Sequence, residues 1–92
     1  PTRFRPGAAW MGDRLLTLYS RAHSHLCGEM LEALRSLQGL ERFEIQVTDV
    51  DGDPALRQRY GDDVPVLVHA GRELCRHRLD AEGVVGYLAK IA

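Results

Sequence analysis

Apolar residues recur along this chain in two rhythms, every second residue and every third or fourth, and the changes of rhythm mark out its elements. Arg14 to Tyr19 is a short apolar run followed by loop-type residues and reads as a first strand. From His25 to Leu37 the apolar residues Leu26, Met30, Leu34 and Leu37 stand four, four and three apart, the stripe of one helix face. Ser24 is a good N-cap for that helix and Gly39 a suitable end. Phe43 to Asp49 alternates apolar with polar, which predicts a second strand with Phe43, Ile45 and Val47 on its buried face. A helix between two strands makes them a parallel pair joined by a right-handed crossover.

Asp53-Pro54 caps and opens a short helix, Ala55 to Tyr60, closed by Gly61. Val64 to His69 is continuously apolar, as a central strand is, and Ala70-Gly71 turns the chain back into an antiparallel strand, Arg72 to Arg78. In that strand Leu74 alternates with Glu73 and Cys75, so Cys75 is expected on the opposite side from Leu74. Asp80 caps a last helix, Ala81 to Ile91, with Val84, Val85, Leu88 and Ile91 turned inward. The lead, residues 1–12, is polar, carries Gly and Pro, and has Trp10 as its one large anchor; it is expected to be loosely held, with the folded domain running over residues 13–92.

With 92 residues, 45% of them hydrophobic, the chain suits one small domain with one core. Its 12 Lys and Arg against 13 Asp and Glu leave it nearly neutral, which argues against nucleic acid as a partner. No apolar run has the length of a membrane span, and the first residues lack the apolar centre of a signal peptide, so a cytoplasmic location without membrane attachment is expected. Two cysteines in different elements suit free thiols in a reducing compartment better than a disulfide scaffold, and a Cys27–Cys75 bridge is not expected.

Candidate chemistry gathers at Ser24-His25-Leu26-Cys27. With Ser24 as N-cap, Cys27 sits in the first turn, where backbone N–H groups can stabilise a thiolate. The alternative is a packing role, since a lone cysteine is among the most buried residue types. His23, His25 and Cys27 also suggest a metal site, but residues two apart on a helix do not face one another, and two exposed histidines explain the pattern better.

Tyr19-Ser20-Arg21-x-x-Ser24-His25-Leu26-Cys27, Asp49-Val50-Asp51-x-Asp53-Pro54-x-Leu56, Tyr60-Gly61-x-x-Val64-Pro65-Val66-Leu67 and Gly71-x-Glu73-Leu74 together resemble a family of small bacterial glutaredoxin-like proteins. The likeness covers about Arg14 to Leu88. It implies an α/β thioredoxin-like fold of glutaredoxin type, in the order β-α-β-α-β-β-α, with a mixed four-stranded sheet and helices on both faces. It further implies first and third strands at the centre and a cis peptide bond at Val64–Pro65 facing the cysteine helix.

The activity this resemblance implies is thiol–disulfide redox chemistry, here with Ser24-x-x-Cys27 where the family has Cys-x-x-Cys. A serine hydroxyl forms no disulfide, so dithiol exchange through Ser24 is excluded, and a redox role rests on Cys27 alone. Val64 and Pro65 would hold a protein thiol segment or glutathione, with Arg21 and Arg78 as cations for its carboxylates. Glutathione is at most a co-substrate, since the Gly-Gly-x-Asp turn of glutaredoxins is His77-Arg78-Leu79-Asp80 here. An iron–sulfur cluster of the monothiol type would need the thiol that Ser24 replaces. No resident cofactor is expected. The other reading is a catalytically silent thioredoxin-fold module that binds through the cis-proline groove.

Overall fold

A computed structural model describes residues 14–91; the lead over residues 1–12, with Trp10, lies outside the described residues. Its strands are β1 (Leu15–Ser20), β2 (Glu44–Asp49), β3 (Val66–His69) and β4 (Arg72–Arg76), and its helices α1 (His25–Leu37), α2 (Pro54–Tyr60) and α3 (Ala81–Ile91). A short 3-10 turn, Val50–Gly52, joins β2 to α2. The sheet order is β2-β1-β3-β4, so β1 and β3 are central. β1 runs parallel to β2 and antiparallel to β3, and β4 returns antiparallel to β3. This is the mixed sheet expected of a thioredoxin-like α/β domain.

Strand alternation splits the interior into two clusters. Leu16 and Leu18 of β1 and Leu67 of β3 join Met30, Leu34 and Leu37 of α1 and Val84 and Leu88 of α3 on one face. On the other, Val66 and Val68 meet Val50 and Tyr60, with Tyr19 and Leu56 packed at the margin. The Tyr19 and Tyr60 rings stack with centroids 4.4 Å apart, joining the end of β1 to α2. Each fully buried leucine contributes about 1.5–3 kcal/mol relative to exposure, so both faces are needed to hold a domain of this size.

The predicted caps form. Ser24, Asp53 and Asp80 accept from the amides of Cys27, Ala55 and Gly83 at 3.3, 2.9 and 3.0 Å. At the opposite end of the sheet the buried Arg14 donates to the carbonyls of Arg42 and Leu88, tying β1 to the approach of β2 and to α3.

Several expectations need correction. Leu26 lies at the margin of the α1 stripe and is 38% exposed, and Cys27 takes the buried place in the first turn. Val47 is 48% exposed: Phe43 and Ile45 reach the core with Leu37, whereas Val47, farther along the edge strand β2, does not. β4 stops at Arg76 because His77 adopts a φ of 69°, outside strand geometry. Within β4 the alternation breaks. Leu67 faces Cys75 and Val68 faces Glu73, which leaves Leu74 as the extra residue of a bulge. Leu74 and Cys75 therefore both pack against the α1 and α3 cluster instead of pointing to opposite sides.

Candidate functional site

The chemistry-bearing residues meet at the end of the sheet where β1 finishes. After Ser20 the chain turns through Arg21 to Ser24, with the Ser24 amide donating to the Arg21 carbonyl at 3.3 Å and His23 at a φ of 64°. Ser24 then caps α1, and its Oγ accepts from the Cys27 amide at 3.3 Å. A hydroxyl thus stands where the helix N-terminus concentrates its partial positive charge. Cys27, one turn on, is 6% exposed. The thiol of Ser24-x-x-Cys27 is turned into the protein, and the half-buried cap position carries a group that forms no disulfide.

Val64 and Pro65 lie beside this turn. Tyr19 pairs with Val66, and continuing that antiparallel register sets Ser20 against Pro65 and Arg21 against Val64. The Val64–Pro65 peptide bond is cis. Pro65 has no amide hydrogen, and its carbonyl accepts from the His77 amide at 2.7 Å. The half-buried Val64 has no backbone hydrogen bond to any described residue. Its N–H and C=O are what an extended segment needs to add itself to a strand.

Arg21 is committed elsewhere. Its Nε and Nη2 donate to the two carboxylate oxygens of Asp51 at 2.9 and 3.1 Å, a bidentate pair. The hydrogen bond and charge of Asp51, with Asp62 and Asp49 adding to them, raise the guanidinium's pKa above its ordinary value. Gly61 leaves room for this arrangement, since a Cβ there would lie 3.1 Å from Arg21 Nη2. Arg76 is a second hub. It makes two hydrogen bonds of 2.6 Å to the Glu73 carboxylate and reaches Asp63 Oδ2 at 3.0 Å, tying β4 to the loop before Val64. Glu73, bonded to Arg76, is held below the usual carboxylate range. The Asp51 partnership was not legible in the sequence, although the two aspartates around Val50 were its visible trace.

On the helix side a shallow depression of about 650 Å³ is lined by His23, Ser24, His25, Gly28, Glu29 and Glu32. His25 Nε2 lies 2.8 Å from Glu29 Oε2, one turn away. Arg78 lines an adjoining recess with Glu29, Met30 and His77. Among the described residues no group of three His, Cys, Asp or Glu side chains converges as a metal site. Cys27 and Cys75 are both free thiols. Burial pushes the Cys75 thiol up from its ordinary value. No described helix is long and apolar enough to cross a membrane.

Fold and site together describe a thioredoxin-type α/β domain with Ser24 and Cys27 in the first turn of α1. Residues 15–89 match the family model described as glutaredoxin-like domain (DUF836), and the chain belongs to that family. The uncharacterized protein Rv0508 of Mycobacterium tuberculosis is 35% identical over 75 residues, which cover 71% of this chain and 77% of the relative. Among solved structures, protein Ne2328 from Nitrosomonas europaea is 40% identical with a TM-score of 0.75, covering 82% of this chain and 91% of its own. A structural-genomics target from X. campestris is 36% identical with a TM-score of 0.67, covering 82% and 96%. Thioredoxin 1 of Thermosipho africanus shares the fold at 18% identity and a TM-score of 0.58, covering 83% and 96%.

Proposed function

We propose that this glutaredoxin-like domain binds an extended, cysteine-bearing segment of a partner protein along Val64–Pro65 and the first turn of α1, without dithiol exchange. The observation that carries this reading is the pairing of a hydroxyl, Ser24, at the cap with a Cys27 that is 6% exposed. Thiol–disulfide exchange starts from an accessible thiolate, and neither residue supplies one. What the site retains is the unpaired backbone of Val64, enough for strand addition.

A titration with a short, uncharged peptide carrying one S-methylcysteine, followed by amide chemical shifts, tests it. Saturable shifts at Val64 and in the first turn of α1 are expected. Their absence, with the spectrum otherwise intact, sinks the reading.

One observation favours a second reading, in which Cys27 reacts alone. Its amide is bonded to Ser24 Oγ, which places the thiol in the first turn of α1, where a helix N-terminus favours a thiolate. The Cys27 thiolate would then attack glutathione disulfide, forming a mixed disulfide and releasing one glutathione thiolate. The pH dependence of Cys27 alkylation by iodoacetamide in a Cys75→Ala protein separates the two. Slow alkylation at every pH supports binding without redox turnover, and a fast reaction at neutral pH supports the single-thiol reading.

A further inference from the structure

Resting on the binding role proposed for Val64–Pro65, we infer that the groove selects a segment with basic residues flanking its cysteine and disfavours glutathione, whose two carboxylates carry the wrong charge. The argument comes from where the charges lie at this end of the sheet. Asp49 ends β2, Asp51 follows it, Asp62 and Asp63 immediately precede Val64, and Glu73 stands in β4. Against these five carboxylates stand four guanidinium groups: those of Arg21 and Arg76, both already engaged, that of Arg57, whose side chain lies beside Gly61, and that of Arg59, over the Tyr60 ring. Arg21 is chelated by Asp51, and Arg76 is held between Glu73 and Asp63. Arg21, one of the two cations that sequence position offers to a ligand carboxylate, and Arg76 beside the Val64 loop are therefore spent on the protein's own acids.

The surplus is negative and lies beside the groove. Asp62 makes no ion pair with any described residue, is exposed, and acts on Arg21 through space. On the other side of Ser24, Glu32 and Glu29, the latter in contact with His25, line the shallow depression. Arg78, in the recess it shares with Glu29, offsets one of these charges. An extended chain laid along Val64 thus has acidic side chains before Val64 and along α1. Exposed charges steer and select through contacts of modest energy that salt weakens. A lysine or arginine on either side of the bound cysteine gains from this field, and a glutamate loses.

Three peptides of equal length around one S-methylcysteine, flanked by lysines, by glutamates or by uncharged residues, test the inference on the full chain. The lysine-flanked peptide should bind about three- to tenfold more tightly than the glutamate-flanked one at low salt, with the gap closing as salt is raised. Asp62→Lys should abolish or reverse that preference while the amide spectrum shows an intact fold. Equal affinities for all three peptides, or a preference for the glutamate-flanked one, overturn the charge selection and leave the groove standing. If no peptide moves the Val64 amide, the groove reading fails and this inference falls with it.

Discussion

Replacing Ser24 by cysteine puts a thiol at the cap of α1, and the structure sets two opposing effects of that change. The Ser24 hydroxyl accepts from the Cys27 amide at 3.3 Å, a long hydrogen bond. Losing it costs about 0.5–1 kcal/mol, the lower part of the range for removing an N-cap. The introduced thiolate, in turn, sits at the N-terminus of a 13-residue helix with no acidic residue in its first turn to neutralise the dipole. A charge so placed is stabilised by about 0.3–1 kcal/mol, which lowers the thiol pKa by roughly 0.2–0.7 below its ordinary 8.5. A pKa depressed in the folded state adds stability above the unfolded value, and that stability is lost as pH falls through the folded value. The variant should therefore be less stable than the parent at pH 6 by about 0.5–1 kcal/mol and should recover roughly 0.3–1 kcal/mol of this by pH 9.5. Urea denaturation at both pH values and the pH profile of alkylation measure the two effects. An introduced thiol titrating at or above 8.5, or a stability gap that does not narrow with pH, would refute the argument from the helix terminus.

Leu67→Ala, at a fully buried position of the central strand β3, should cost about 2–5 kcal/mol in urea denaturation, and a loss below 1 kcal/mol would mean the core is not held there. Gly61→Ala should destabilise by about 1–3 kcal/mol, because the added Cβ would stand 2.5 Å from the Arg57 carbonyl oxygen and crowd Arg21; an unchanged midpoint would contradict this. Cys75, pushed up by burial, should alkylate in a Cys27→Ala protein with a midpoint above the ordinary thiol value of about 8.5. Because its folded pKa is the raised one, it favours the folded state below the unfolded value, and this is lost as pH rises through the folded value. The parent should therefore lose stability at alkaline pH faster than Cys75→Ala, and equal slopes would show that the sulfur is not desolvated.

Much of the architecture was legible because caps and periodicity are local. Ser24, Asp53 and Asp80 each satisfy an amide within three residues of themselves, so a one-dimensional reading finds them. Two errors of facing, Leu26 and Val47, share a cause, while the third, Cys75, comes from the bulge in β4. Periodicity says which residues share a face, and only the packed structure says how far along that face the covering layer reaches. The pairing of Arg21 with Asp51 escaped the sequence reading for a different reason. Asp51 is thirty residues away from Arg21 and meets it only because β1 and β2 run parallel and end together. The serine in the motif was visible from the start, but the burial of Cys27 that gives it weight is a property of the folded helix.

The bulge in β4 has a consequence for how the chain tolerates change in its length. Glu73 and Cys75 face Val68 and Leu67, neighbours on β3, while Leu74 between them has no partner of its own. Excising Leu74 would leave both existing pairings in place as a regular ladder, with only an apolar side chain lost from the margin of the core. The hairpin therefore holds one spare residue, and a single-residue deletion can be absorbed there without shifting the loop that carries Val64 and Pro65. A deletion inside β1 has no such slack, since a slip of one would turn Leu16 and Leu18 out of the core and move every pairing on both sides of it.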